Sequence, residues 1–274
     1  EVSVIGDNSV EIEFGTGALK VTPAHDHMDF EIGRKHELEI IKVFNQEGKG
    51  NENAGNYESL SIDEIRKQII HDLDKKGHIE KIEDYDNNVS HCERCDNKVE
   101  PYISMQWFVN IKPLADKAID AVKTEKIKII PERFNKTYFE WMDNIVDWCI
   151  SRQLWWGHRI PAWFCKKCDY ISVSVDTPSE CHKCESNDIY QDPDVLDTWF
   201  SSGLWTHSTL GWPKNTEDLD QFYPSTVMET GYDILFFWVA RMIMLGIENM
   251  GEPPFSHVYL HGLILDPTGL KMSK

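Results

Sequence analysis

The chain has 274 residues, 41% of them hydrophobic and ten of them tryptophan, enough apolar area for a sizeable core and two domains. Its 46 acidic against 28 basic residues give a formal net charge of -18, the wrong sign for gripping nucleic acid through a generalised basic surface. The longest apolar stretch, 234–245, is interrupted by Arg241 and falls short of the roughly 20 residues a membrane helix needs, and no basic region followed by an apolar run marks a signal peptide.

Read from its start, the chain alternates in a strand-like way through Val2, Val4 and Ile5, then Val10, Ile12 and Phe14, with a third run around Leu19 and Val21 after the turn Gly15-Thr16-Gly17. This predicts a β-rich piece. Residues 25–29 then pack two histidines and two aspartates into five positions. Three readings are open: a metal-hydrolase cluster, for which no second ligand cluster is found; Asp26 and Asp29 holding a substrate ammonium or hydroxyl; or aspartates capping a helix at 30–36. The stretch 46–56, dense in Gly, Asn, Glu and Lys, reads as a surface loop. Ser61 with Glu64 forms a capping box for a helix with Ile62, Ile65, Ile69, Ile70 and Leu73 on one face, and Gly77 is its expected stop.

Six of the seven cysteines fall in CxxC pairs, a pattern that favours metal over disulfides and a reducing, cytosolic setting. Cys92 and Cys95 make half a site, either completed by cysteines elsewhere or without metal. After prolines 101 and 113, helical periodicity around Leu114, Ala118, Ala121 and Val122 marks a domain boundary. Beyond Pro131 the chain is tryptophan-rich and reads as mixed α/β. Within it, Cys165 and Cys168, with Cys181 and Cys184 twelve residues on, are able to close a tetrahedral structural Zn2+ site with no open position for water. Cys149 is left as a small buried hydrophobe. The segment 230–250 is apolar nearly all round, a helix buried on several faces, and 258–265 reads as a core strand. At the end, Lys271-Met272-Ser273-Lys274 puts two lysines on a turn, where they are able to clamp phosphate charge.

Four segments together, ISRQLWWGHRIP (150–161), DVLDTWFSS (194–202), TGYDILFFW (230–238) and KMSK (271–274), resemble those of valyl-tRNA synthetases, in that family's order. GTGALKVTPAHD near the start resembles its editing domain. The isoleucyl and leucyl relatives differ around Trp199 and Trp238.

The resemblance implies an α/β fold: part of a Rossmann-type class I synthetase catalytic domain, part of a β-rich editing insertion and a small zinc ribbon. It implies an interior fragment, inactive alone, without the HIGH motif or the anticodon-binding region. The expected domains are 1–91, the C-terminal part of the editing domain; 92–133, a zinc-knuckle connector; and 134–274, the second half of the catalytic domain, with the ribbon at 165–184 and the KMSK loop at 271–274. The implied reaction ligates valine to tRNA(Val) through a valyl-adenylate, using ATP with Mg2+, with hydrolytic editing of threonyl-tRNA(Val). Lys271 and Lys274 would be catalytic. Gly231, Asp233, His261, Gly262, Met272 and Ser273 would join them in binding ATP and adenylate. Trp199, Ile234 and Trp238 would wall the valine pocket, and Lys20, Thr22, Asp26 and Asp29 would serve editing. A cytoplasmic enzyme, monomeric at full length and without membrane partners, is expected. The alternatives are an isoleucyl-type enzyme and a non-catalytic zinc-ribbon binding module.

Overall fold

A computed structural model describes residues 2–84, 86–92 and 95–272. The chain folds as two units, the first ending at Met105 and the second beginning at Gln106. The division falls inside the expected connector 92–133, because Ile111, Ala115, Ala118 and Val122 belong to the core of the second unit.

The first unit holds helix α1 (His27–Lys35), a 3-10 helix (Glu52–Tyr57) and helix α2 (Ile62–Lys75). Helix α1 begins three residues earlier than the capping reading predicts, because the Asp26 carboxylate accepts the Asp29 N–H at 3.0 Å. The capping box of α2 forms as expected: the Ser61 hydroxyl accepts from Glu64 N, and Glu64 accepts from Ser61 N at 2.8 Å. Gly77, at φ +70°, ends it in a Schellman arrangement, with His78 N donating to Leu73 O and Gly77 N to Asp74 O.

The strands expected over residues 2–21 do not form. Val2, Val4, Ile12 and Phe14 are exposed, and turns at 8–10 and 12–17 interrupt the alternation. A strand needs a neighbour for its backbone groups. Among the described residues, this unit contributes only isolated bridges such as Phe44↔Gly50 and Lys49↔Ser61.

The second unit runs β1 (Phe108–Val109), α3 (Lys112–Lys123), β2 (Lys128–Ile130), α4 (Phe134–Asp143), β3 (Trp148–Cys149) and β4 (Ser151–Arg152). It continues through β5 (Ala162–Cys165), β6 (Ile171–Val173), β7 (Ile189–Gln191), β8 (Val195–Leu196), α5 (Thr198–Ser202), α6 (Trp205–Ser208) and α7 (Glu217–Phe222). It ends with β9 (Ser225–Gly231), a 3-10 turn (Tyr232–Ile234), a π-helix (Leu235–Ala240), α8 (Arg241–Met250) and β10 (Phe255–His261).

A three-stranded parallel sheet in the order β2-β10-β9 forms the centre. Strand β10 is the middle one, so its Phe255, Val258 and Leu260 are buried. Small residues of α3, Ala115, Ala118 and Ala121, share one core with Met242, Ile243 and Met244 of α8 and with Tyr138 and Met142 of α4. The expected core strand 258–265 stops at His261, where the last pairing, to Gly231, ends; Ile264 and Leu265 lie exposed beyond it. The expected helix 230–250 is divided between strand, 3-10, π and α geometry. No helix among the described residues is long and apolar enough to cross a membrane.

Candidate functional site

The two longest strands of the sheet, β9 and β10, end side by side, Gly231 opposite His261. In parallel α/β sheets the carboxyl ends of strands open onto the ligand crevice. A Cβ on Gly231 would stand 2.6 Å from Asp233 Oδ1 and 3.0 Å from Leu263 Cδ2, so the close approach of these groups requires glycine. Two residues on, Asp233 accepts a hydrogen bond from Lys271 Nζ at 2.5 Å. The His261 ring donates from Nδ1 to the Gly262 carbonyl at 2.7 Å.

The lysine arrives on a closed turn. Asp266 Oδ1 accepts from Thr268 N, Thr268 Oγ1 and Leu270 N at 2.7–2.9 Å. These bonds, the Thr268 hydroxyl first, hold its carboxyl below the usual range. Gly269 takes φ +86°, and Leu265 bridges Lys271. The structure thus brings Gly231, Asp233, His261, Gly262 and Lys271 together, with Met272 next along the turn. Ser273 and Lys274 lie outside the described residues.

The three residues expected to wall an amino-acid pocket sit on three elements, Trp199 on α5, Ile234 on the 3-10 turn and Trp238 on the π-helix. Trp199 opens α5, and its ring lies 6.0 Å from that of Phe237. Trp238 donates its indole N–H to Ser202 O at the end of α5, 3.0 Å away. Ile234 precedes the π-helix with φ -110° and ψ 20°, so the helix expected over 230–250 is interrupted before Trp238. π-helical segments are rare and frequent at functional sites.

Sequence reading missed Asp197. This carboxylate is buried, its side chain 7% exposed, and its Oδ2 accepts from Arg152 at 2.8 Å and from the Trp148 indole N–H at 3.0 Å. Its Oδ1 accepts the Trp199 backbone N–H at 3.0 Å, capping α5. The Arg241 guanidinium lies 3.9 Å from Oδ2 and 3.9 Å over the Trp148 ring. An aspartate directly before a short helix carries the usual N-cap signal, but its three charged and indole partners are distant in sequence.

Cys165, Cys168, Cys181 and Cys184 place their sulfurs within 4.8 Å of one another. The pairs Cys165–Cys184 and Cys168–Cys181 are 3.6 and 3.7 Å apart. A tetrahedron of Zn–S bonds near 2.3 Å needs sulfurs about 3.8 Å apart, so the group fits zinc. The two knuckles are backbone equivalents: Asp169 N donates to Cys165 O and Glu185 N to Cys181 O, with Asp169 at φ +55° and Glu185 at φ +56°. The β6-β5-β7 sheet carries them. At Cys92 one bond of this kind recurs, Asp96 N donating to Cys92 O with Asp96 at φ +57°.

Near the start, Lys20 Nζ donates to Thr22 Oγ1 at 3.0 Å, and the buried Asp29 accepts from Thr22 N at 2.7 Å and Thr22 Oγ1 at 3.1 Å. Lys20, Thr22, Asp26 and Asp29 therefore form one network around the start of α1. His25 Nε2 accepts from Val43 N at 3.0 Å and its ring stacks on Phe44. Among the described residues, the four-cysteine set is the one group of three or more side chains placed to hold a metal, which leaves the metal-hydrolase reading of 25–29 without a ligand set.

Residues 29–274 match the family model of the class I tRNA synthetases for isoleucine, leucine, methionine and valine, and the chain belongs to that family. Within it, the chain is 57% identical over 273 residues to a valine–tRNA ligase of Dehalococcoides mccartyi, covering 100% of this chain and 31% of that protein. It is 55% identical over 274 residues to a valine–tRNA ligase of Clostridium tetani, with the same coverage. It thus spans about a third of the length of these relatives. A solved structure of Mycobacterium tuberculosis methionyl-tRNA synthetase in complex with methionyl-adenylate is similar at 18% identity and a TM-score of 0.46, over 68% of this chain and 31% of that one.

Proposed function

We propose that this chain carries the KMSK side of an adenylate-forming site in a valine–tRNA ligase. The observation that carries the reading is the meeting of Gly231, Asp233, His261 and Lys271 at the carboxyl ends of two parallel strands. A ribose accepts and donates hydrogen bonds, and Asp233 offers a carboxylate to it. Lys271 and Lys274 bring cationic charge to the phosphates of ATP, whose Mg2+ accompanies the nucleotide, as negative charge redistributes in the transition state. Trp199, Ile234 and Trp238 form the apolar walls for valine, as the family resemblance implies. The valyl group then passes from the adenylate to tRNA(Val).

The four thiolates hold a structural zinc that stiffens the β5–β7 ribbon, with no open position for catalysis. Cys92 and Cys95 would supply two thiolates of a second site, half of a tetrahedral set. Editing of threonyl-tRNA(Val) is assigned to the Lys20-Thr22-Asp26-Asp29 network. A hydrophobic pocket rejects an added hydroxyl weakly, so a second site must recognise it. Asp26 would bind the substrate ammonium and Asp29, with Thr22 and Lys20, the threonine side chain.

The test is valine-dependent ATP–pyrophosphate exchange by a protein that holds this segment at its relatives' length. Exchange that disappears in Lys274→Ala supports the reading. Exchange driven better by isoleucine than valine favours the isoleucyl alternative, and no exchange with either leaves the zinc-ribbon binding module.

A further inference from the structure

The walls of the proposed amino-acid pocket stand on separate elements, α5 for Trp199 and the π-helix for Trp238. Their spacing must be held by something other than the chain between them, which runs through α6, α7 and β9. The Trp238 indole bond to Ser202 O ties them at one point. A second tie joins the same two elements. Arg241, three residues beyond Trp238, reaches back to Asp197, two residues before Trp199. Its guanidinium lies 3.9 Å from the Trp148 ring and 5.6 Å from the Phe237 ring, and Phe237 in turn meets Trp199.

Burial makes this tie consequential. A buried carboxylate persists only when its charge is met by donors of good geometry. Asp197 meets Arg152 of β4, Trp148 of β3 and Arg241 of α8 on one oxygen and the start of α5 on the other. Arg241 Nη1 is itself buried with no hydrogen-bond partner among the described residues, so its charge depends on the ion pair with Asp197 and on the aromatic faces. Burial works against that charge and Asp197 supports it.

We infer that Asp197 is a positioning residue of the amino-acid pocket: through Arg241 it sets the distance between the wall bearing Trp199 and the wall bearing Trp238, and so the size of side chain accepted. This rests on the proposal that those tryptophans wall the pocket. A packing shift well under a side chain's width is enough to alter discrimination by one methylene, since interiors are close-packed.

The variant Asp197→Asn breaks the contacts of Asp197 Oδ2 while keeping the cap of α5. Its remaining carbonyl oxygen still caps α5, while its amide points N–H groups at the N–H groups of Trp148, Arg152 and Arg241. In a protein of the relatives' length, ATP–pyrophosphate exchange is measured with valine and with isoleucine. The expected result is a valine KM raised roughly tenfold with kcat and the ATP KM within about threefold, and a narrowed preference for valine over isoleucine. A loss confined to kcat, or an unchanged valine KM, overturns the inference while leaving the proposed activity intact. Absence of valine-dependent exchange in the parent protein overturns the activity itself. Should Asp197→Asn fail to fold, Trp148→Phe decides: it keeps a ring under Arg241 and removes one N–H from Asp197. A valine KM raised about threefold supports the tie, and an unchanged one contradicts it.

Discussion

Lys271 Nζ and Asp233 Oδ2 lie 2.5 Å apart, joining the turn that follows β10 to the turn that follows β9. The lysine side chain is 60% exposed and the aspartate 28%. A pair this open to water is worth at most about 1 kcal/mol, so it parks the lysine at little cost. On the proposed reading, a nucleotide that claimed Asp233 for its ribose would release Lys271 toward the phosphates.

Removing the charge of Asp233 tests this handover. Asp233→Asn is expected to raise the ATP KM about tenfold, the loss of one charge-assisted bond, with the valine KM within about threefold. Initial rates of exchange at varied ATP check it. An unchanged ATP KM argues against a role in binding the nucleotide.

Gly231 should report on close approach rather than on backbone strain. Its φ of -64° suits any residue, yet an added Cβ would meet Asp233 Oδ1 at 2.6 Å. Gly231→Ala therefore displaces the Asp233 side chain, a flexible group. Exchange is expected to fall at least about tenfold while stability changes by under about 1 kcal/mol. Thermal melting beside the rate assay separates the two.

The observed cap and the proposed recognition role of Asp26 are separable. Its carboxylate accepts the Asp29 N–H at the start of α1, and loss of such a cap costs about 1 kcal/mol. Asp26→Asn keeps an acceptor for the cap but loses the charge for an ammonium. Deacylation of threonyl-tRNA(Val) is expected to fall in both Asp26→Ala and Asp26→Asn, with only the former losing stability. Full deacylation by Asp26→Asn would restrict this residue to capping.

The 274-residue chain should bind close to one equivalent of zinc, and Cys165→Ser with Cys181→Ser should abolish that binding. Metal analysis after removal of loose ions reads it directly. Serine in place of Cys92 and Cys95 is expected to leave the value unchanged, because two thiolates supply half a tetrahedron.

Acid should weaken the second unit through His207. This ring is fully buried, Nε2 against the Asn249 amide and Nδ1 against Thr206 Oγ1, with Trp212 and Tyr223 edge-on. Burial pushes its pKa below the ordinary 6.5. The neutral ring's contribution is complete above that value and is lost as pH falls below it, since the unfolded chain takes up the proton first. Melting temperature followed from about pH 7.5 to about pH 5 should decline less steeply in His207→Gln than in the parent.

Local signals in the sequence carried far. The Ser61–Glu64 box, the Gly77 stop and the apolar spacing of α3 each depend on neighbours a few residues away, and each forms. The four cysteines converge because two identical knuckles need no long-range information beyond meeting. What depended on partners misled: the alternation over 2–21 has no strand beside it among the described residues, and the 230–250 stretch is divided because β9 pairs with β10 before the chain turns into π geometry. Asp197 escaped notice because its meaning comes from Arg152, Trp148 and Arg241, up to 49 residues away.

The most direct measurement is valine-dependent ATP–pyrophosphate exchange by a protein of the relatives' length that holds this segment, with Lys271→Ala and Lys274→Ala beside it. Exchange driven by valine above isoleucine and threonine, and reduced at least about a hundredfold in Lys274→Ala, is the predicted result. Robust exchange that persists in both lysine variants, or that ignores valine, would contradict it.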